Sequence, residues 1–164
     1  MSNPESGVTI SEHPDAQFRL SIPDSWDMDM SGSEKGMFIY QDTTAWGGRF
    51  HPNVVVIQRS YDNRHETEED YYKEILATDA GLAEQLTEYR NIHLGWDTLG
   101  DEDTPAILRV SSYRNDEGTP LMLYQWHAVR SGIEISFAVT FPTALYREWA
   151  QPAWLWSKDF EWTV

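Results

Sequence analysis

From Ile133 to Phe141 a large apolar side chain recurs at every second position. Ile133, Ile135, Phe137, Val139 and Phe141 share one side, with Glu134, Ser136 and Thr140 among the residues between them. Side chains of a strand point to opposite faces at a period of two, whereas a helix face recurs every three or four residues. This stretch is therefore read as a strand with one dry face, and the polar set is expected on the wet side. The same period marks Met122, Tyr124, Trp126 and Ala128, then Ala106, Leu108 and Val110, then Ile92, Leu94 and Trp96, and near the start Phe18, Leu20 and Ile22. Residues 37–41 form a further short run, and residues 53–59 are β-branched enough for a central strand. The connectors Asn115-Asp116-Glu117-Gly118 and Arg130-Ser131-Gly132 have hairpin length, with glycine available for positive φ. Consecutive strands joined this way lie antiparallel.

Two stretches carry a helical signature instead. Thr67 can cap a helix whose first turn, Glu68-Glu69-Asp70, suits the positive end of the helix dipole. Its buried face is expected at Tyr72, Ile75, Leu76, Leu82 and Leu86, with a break near residues 79–81. A second helix is expected after Phe141-Pro142 with Thr143 as N-cap. There Leu145, Trp149, Pro152 and Trp156 fall on one stripe, and Pro152 should kink or restart it. The element order is β-β-β-α-β-β-β-β-α. It predicts an α+β fold, a mainly antiparallel sheet of six or seven strands with helices packed on it. Residues 1–12 read as a flexible N-terminal segment and residues 13–164 as a single α+β domain.

Composition decides which functions survive. Twelve Lys and Arg face 27 Asp and Glu, a net charge of −15. A nucleic-acid surface needs clustered cations to match phosphates, and an anionic lipid surface needs the same, so both partners are excluded. The longest uninterrupted apolar run is Val54-Val55-Val56-Ile57, far short of a membrane span, and no membrane insertion is expected. Leu, Ile, Val and Phe together make only 34 of 164 residues, so the eight Trp and eight Tyr must supply much of the core. The chain has no cysteine and hence no disulfide or thiolate chemistry, and its first residues have no basic and apolar leader pattern. A cytoplasmic location is the expectation.

The short motifs favour no chemistry. Asp27-Met28-Asp29-Met30-Ser31-Gly32 imitates the start of a calcium loop, but the position of the bidentate glutamate is Phe38, so a solvated hairpin loop is expected there. No two of His13, His51, His65, His93 and His127 stand three to five residues apart, so no pair can chelate a metal from one helix face. Gly32-Ser33-Glu34-Lys35-Gly36 does not match the spacing of a nucleophile elbow. No catalytic residue, metal or cofactor is expected, and the chain is read as a non-enzyme.

One segment does suggest binding. Between residues 43 and 61 there is no acid, only Arg49 and Arg59, whereas residues 62–103 carry 13 acids against three bases. Interface cores are depleted in acids and enriched in aromatic residues and arginine. Trp46, Arg49 and Phe50, in a stretch with Gly47 and Gly48 between strands, are the candidate partner-binding residues. The alternative is a loop folded back over an open end of the core.

The order of elements, with Phe18-Arg19-Leu20-Ser21-Ile22-Pro23-Asp24-Ser25-Trp26 and Phe50-His51-Pro52-Asn53-Val54-Val55-Val56, resembles the PsbP/Mog-like superfamily, and within it the actinobacterial LpqN-type branch. The resemblance spans roughly residues 17–162 and includes the closing helix into Ser157-Lys158-Asp159-Phe160. It implies an α/β/α sandwich around an antiparallel sheet, used as a platform for partners and without a catalytic set. Members include extrinsic photosystem subunits, a Ran-binding nuclear protein, secretion-effector chaperones and lipoproteins, whose lipobox cysteine this chain lacks. The expected function is thus a non-enzymatic protein-binding or chaperone-like module with a protein partner, a homodimer being compatible with it. The alternative is a small-ligand or carbohydrate-binding domain, or an enzyme without a readable motif. A protein partner predicts an exposed apolar patch, and a ligand predicts a concave site with convergent polar groups.

Overall fold

The alternation of residues 133–141 is realised as the strand Ile133–Pro142 (β9) in a computed structural model that describes residues 7–44, 50–62 and 67–164. The preceding elements are β1 (Val8–Ser11), β2 (Phe18–Pro23), β3 (Asp27–Asp29), β4 (Met37–Gln41), β5 (Asn53–Ser60), α1 (Glu68–Gln85), β6 (Thr87–Leu99), β7 (Thr104–Arg114) and β8 (Pro120–Arg130). After β9 come α2 (Tyr146–Asp159) and β10 (Glu161–Trp162). Seven strands form one sheet in the order β3-β4-β5-β9-β8-β7-β6, and every neighbouring pair is antiparallel. β1, β2 and β10 form a second, three-stranded sheet. The α+β class and the mainly antiparallel sheet are those expected from the sequence. Val8–Ser11, inside the segment read as flexible, pairs with β2 from Val8↔Pro23 to Ser11↔Leu20.

The inner face of the large sheet carries the expected dry residues. Phe137, Val139, Phe141, Trp126 and Ala128 are all fully buried there, and β2, α2 and β10 close over them. The core is aromatic, as the scarcity of aliphatic residues requires. Phe18 stacks on Phe160 with ring centroids 5.2 Å apart, and Trp26 meets Trp156 edge-on at 5.0 Å. Three indoles find acceptors inside: Trp126 Nε1 donates to Asp97 Oδ2 (2.8 Å), Trp156 Nε1 to the Ser21 carbonyl (2.9 Å) and Trp162 Nε1 to the Leu99 carbonyl (3.0 Å). A buried indole N–H left without an acceptor would offset much of the ring's burial.

Several local expectations are corrected. The outer face of the sheet is not wet throughout: α1 lies on β6, β7 and β8, the Tyr71 hydroxyl reaches Glu134, and both Glu134 and Thr140 are buried. α1 runs unbroken through residues 79–81, since Asp79 is tied to the sheet by Arg109, Tyr89 and Asn91 and Gly81 has open space around it. Ile75 is buried as expected, but the helix's other buried residue is Tyr71 where Tyr72 was expected; Tyr72 is half-buried and Leu76 is exposed. Thr67 does cap, accepting from the Asp70 N–H at 3.1 Å. Thr143 instead opens a 3-10 turn, residues 143–145, ahead of α2, whose N-cap Leu145 has no side-chain bond. α2 continues through Pro152, which is exposed, while Trp149 and Trp156 pack on the core as expected. A register shift in β6 between Asn91 and His93 separates Ile92 from the face that Leu94 and Trp96 share, opposite Arg109 and Ile107; Ile92 and Trp96 are exposed. The calcium-like segment forms β3 and the turn into β4, where Asp29 Oδ1 accepts from the Ser31 N–H (2.9 Å).

Candidate functional site

α1 covers β6, β7 and β8 but leaves the β4–β5 end of the outer face open. Tyr71 and Ile75 bury against Ile107, with Leu94 and Val129 beside them. On the uncovered strands the alternation places Met37, Ile39 and Gln41 opposite Ile57, Val55 and Asn53. Met37 and Ile57, directly paired, are 41% and 40% exposed, and Ile39 and Val55 are half-buried. No acid lies on this face of β4 and β5 among the described residues. The edge strand β3 beside it carries exposed Asp27 and Asp29, which guard a sheet edge against pairing with other chains.

The segment of Trp46, Arg49 and Phe50 leaves the end of these two strands. The Asp42 N–H donates to the Pro52 carbonyl (2.8 Å), His51 Nδ1 lies 2.8 Å from the Asp42 carbonyl, and the Thr44 N–H donates to Asp42 Oδ1 (2.9 Å). The ends of the segment are thereby clamped together. Phe50 is half-buried at this neck, and Trp46 and Arg49 lie outside the described residues.

Between the open strands and α1 lies a set of polar side chains, among them Glu134 and Ser136, which the alternation of β9 assigns to the wet side. Arg109 on β7 is 1% exposed. Its Nη2 donates to the Ile75 carbonyl and to Thr78 Oγ1, each at 2.7 Å, and its Nε sits 3.4 Å from Asp79 Oδ1. Nη1 donates to Gln125 Oε1 (3.2 Å), and Gln125 Nε2 passes the chain on to Ser136 Oγ (3.0 Å). Arg109 thus holds the α1 backbone to three successive strands. One row further along, Glu134 accepts from Arg59 Nε (2.5 Å) and from the Tyr71 hydroxyl (3.0 Å). Burial, then the charge of Glu134 and its hydrogen bond, hold the Tyr71 hydroxyl far above the ordinary tyrosine range. Burial, then the nearby carboxylates of Glu74 and Glu134, push Tyr61 up to about 12.

His127 on β8 stands between these two systems, paired in register with Ile107 on one side and Ser136 on the other. Its Nε2 is shielded from solvent and has no hydrogen-bond partner. Burial, reinforced by the charges of Arg109 and Arg59, pushes its pKa down to about 3, so the ring is neutral at physiological pH. Ile57, Ile75, Gln125, His127, Glu134 and Ser136 are among the residues lining a cleft of about 250 Å³ here. Among the described residues no three His, Asp or Glu side chains cluster as metal ligands would.

The sequence missed Arg109, Gln125, His127 and Glu134 because each alternates with core residues and so reads as solvent-facing. The available signal was on their own face. Ile107, Leu123 and Val129 share it, and apolar residues on both faces mark a sheet covered on both sides.

No protein-family model matches the chain, and no curated protein matches it in sequence. Solved structures do. Cyanobacterial PsbP (CyanoP) from Synechocystis is similar with a TM-score of 0.68 at 10% identity, over 99% of this chain and 97% of that one. LpqN of Mycobacterium tuberculosis, a protein involved in cell envelope biogenesis, gives 0.67 at 15% identity over 94% and 90%. The Saccharomyces cerevisiae Ran-binding protein Mog1p gives 0.54 at 10% identity over 91% and 85%. The chain has the PsbP/Mog-like fold.

Proposed function

We propose that this protein is a non-enzymatic protein-binding module whose partner docks on the uncovered β4–β5 face and on the segment that leaves its end, with Trp46, Arg49 and Phe50 contributing. The observation that carries the reading is the directly paired, exposed Met37 and Ile57 on an acid-free strip of a chain with net charge −15. Desolvating a carboxylate is costly, so a strongly acidic protein buries most cheaply the surface where acids are absent. Exposed apolar groups backed by a rigid sheet also lose little entropy on association. That Mog1p, a protein of the same fold, binds Ran supports a platform role without naming this chain's partner. Among the described residues no helix is long and apolar enough to cross a membrane. A cytoplasmic setting is part of the proposal, resting on the cysteine-free composition.

Photo-cross-linking in the native host tests it. Benzoylphenylalanine at position 57 should give discrete protein adducts that the same probe at position 117, on the exposed Asn115–Gly118 turn, does not. Equal labelling at the two positions would remove the assignment of this face.

A further inference from the structure

The two edges of the large sheet are closed in different ways. β3 is three residues long and carries exposed Asp27 and Asp29. β6 is 13 residues long, has no lysine, and none of its residues before Leu99 is buried. An edge of that kind is a template for pairing with another chain unless something blocks it. In the first half of β6 the register shifts between Thr87 and Arg90 and between Asn91 and His93 disrupt the line of the strand. From His93 to Leu99 the register on β7 is continuous, and Asp97, the one acid there, turns inward to accept from Trp126 Nε1.

Which backbone groups of this half face outward follows from one residue. Thr98 pairs with Pro105, which has no N–H, so the two cannot exchange a pair of hydrogen bonds. Bonded and non-bonded pairs alternate along an antiparallel ladder, so the N–H and C=O groups of Leu94, Trp96 and Thr98 point away from β7. Two of these three carbonyls are occupied by side chains. The Tyr72 hydroxyl on α1 donates to the Leu94 carbonyl (3.3 Å), and Lys158 Nζ on α2 donates to the Thr98 carbonyl (2.7 Å). The two donors reach the edge from helices on opposite faces of the sheet. Each is anchored by a second contact: the Tyr72 ring stacks on Trp96 with centroids 5.9 Å apart, and Lys158 Nζ pairs with Asp97 Oδ1 at 2.9 Å.

The outward groups are spaced so that the edge complements itself. A two-fold axis at Trp96 would set Leu94 of one copy against Thr98 of the other and Trp96 against Trp96, each pair joined through its outward N–H and C=O. Most bonds of that ladder need the Leu94 and Thr98 carbonyls. We propose that the β6 edge is a self-pairing surface for a second copy of this chain, held closed by Tyr72 and Lys158.

Self-association of Tyr72→Phe/Lys158→Met decides this, measured by sedimentation equilibrium beside the native chain. In about 0.5 M NaCl the repulsion between two acidic copies is screened within a few ångströms, which leaves the edge itself to set the association. The double variant should then associate at least about tenfold more tightly than the native chain, since two blocking hydrogen bonds are gone. The amides of Leu94, Trp96 and Thr98 should exchange rapidly with solvent in the monomer and become protected in the dimer. Tyr72→Phe alone keeps the ring on Trp96 and removes only the donor. It should associate about threefold more tightly, and it carries the comparison by itself if the double variant does not melt cooperatively. The proposal is overturned if variant and native chain associate equally in that salt, tightly or not at all, or if a dimer forms with the three amides unprotected. The β6 edge lies across the sheet from β4 and β5, so this result and the cross-linking at position 57 fail separately.

Discussion

At the scale of single residues, the outer-face histidine ties stability to pH with a definite sign. His127 faces Arg109 from β7, Arg59 from β5, Glu134 from β9 and Glu74 from α1, and its folded pKa of about 3 lies well below the ~6.5 of an unfolded chain. Between those values the unfolded state binds one more proton than the folded state. The contribution is therefore complete above about pH 6.5 and is lost as pH falls, at about 1.4 kcal/mol per unit. Urea unfolding at about pH 7.5 and about pH 5 should show the native chain losing roughly 2 kcal/mol more than His127→Leu over that interval. Parallel losses would mean that the imidazole is already charged in the fold. The neighbouring Tyr71→Phe removes the only tyrosine hydrogen bond to Glu134 among the described residues and leaves that buried carboxylate on Arg59. It should lower stability by about 1–2 kcal/mol in the same assay, and an unchanged midpoint would show that Glu134 finds a replacement donor.

At the scale of elements, Gly36 decides how the β3–β4 hairpin meets β5. Its φ is +77°, and a Cβ there would lie 2.0 Å from the Gln58 carbonyl oxygen, part of the backbone. The Gly36 carbonyl in turn accepts from the Gln58 N–H at 2.8 Å. Gly36→Ala therefore combines a left-handed backbone with a clash that no side-chain rotation relieves. A loss of about 2 kcal/mol or more in chemical unfolding is expected, against about 1 kcal/mol or less for Gly118→Ala, where φ is +82° and the space is open. If the two glycines prove equally tolerant, the close approach to β5 is not as drawn. None of this was visible in the sequence, where Gly36 stands in an unremarkable turn, because the constraint comes from a strand 22 residues away. Local patterns were legible: the inner faces of β2, β8 and β9, the Thr67 cap and the Trp149–Trp156 stripe follow from period and residue type alone. What was illegible depends on which element lands on which face. α1 turns the polar residues of β7, β8 and β9 from a wet surface into the Arg109, His127 and Glu134 system, and Asp79, read as a helix breaker, becomes the partner that keeps the helix whole. The binding segment was legible as an acid gap, but that its neck closes the Gln41–Asn53 end of a face whose other end carries the exposed Met37–Ile57 pair required the register of β4 on β5.

At the scale of the whole molecule, charge distribution and sheet coverage point to the same surface. The acids crowd α1 and its flanks, which lie over β6–β8, and the strip from β4 to β5 is both uncovered and free of acids among the described residues. If the partner docks on this strip, its affinity should be sensitive to a charge placed there and indifferent to one placed elsewhere. Ile57 and Ile92 provide the comparison, since both are exposed isoleucines on strands, at 40% and 58%, the first on β5 and the second on the far edge strand β6. With the cross-linked partner in hand, Ile57→Glu should weaken binding at least about thirtyfold, the effect of about 2 kcal/mol at an interface anchor, while Ile92→Glu leaves affinity unchanged. Both variants should melt within a few degrees of the native chain, because surface substitutions at exposed positions change stability by about 0.5 kcal/mol. Trp46→Ala belongs in the same series. A loss of affinity with an unchanged melting temperature makes it an anchor, and a lowered melting temperature with unchanged affinity makes it a cover for the open end of the core. Equal weakening by Ile57→Glu and Ile92→Glu would show that the added charge acts through the net field of the protein, and the β4–β5 face would lose its claim as the docking surface.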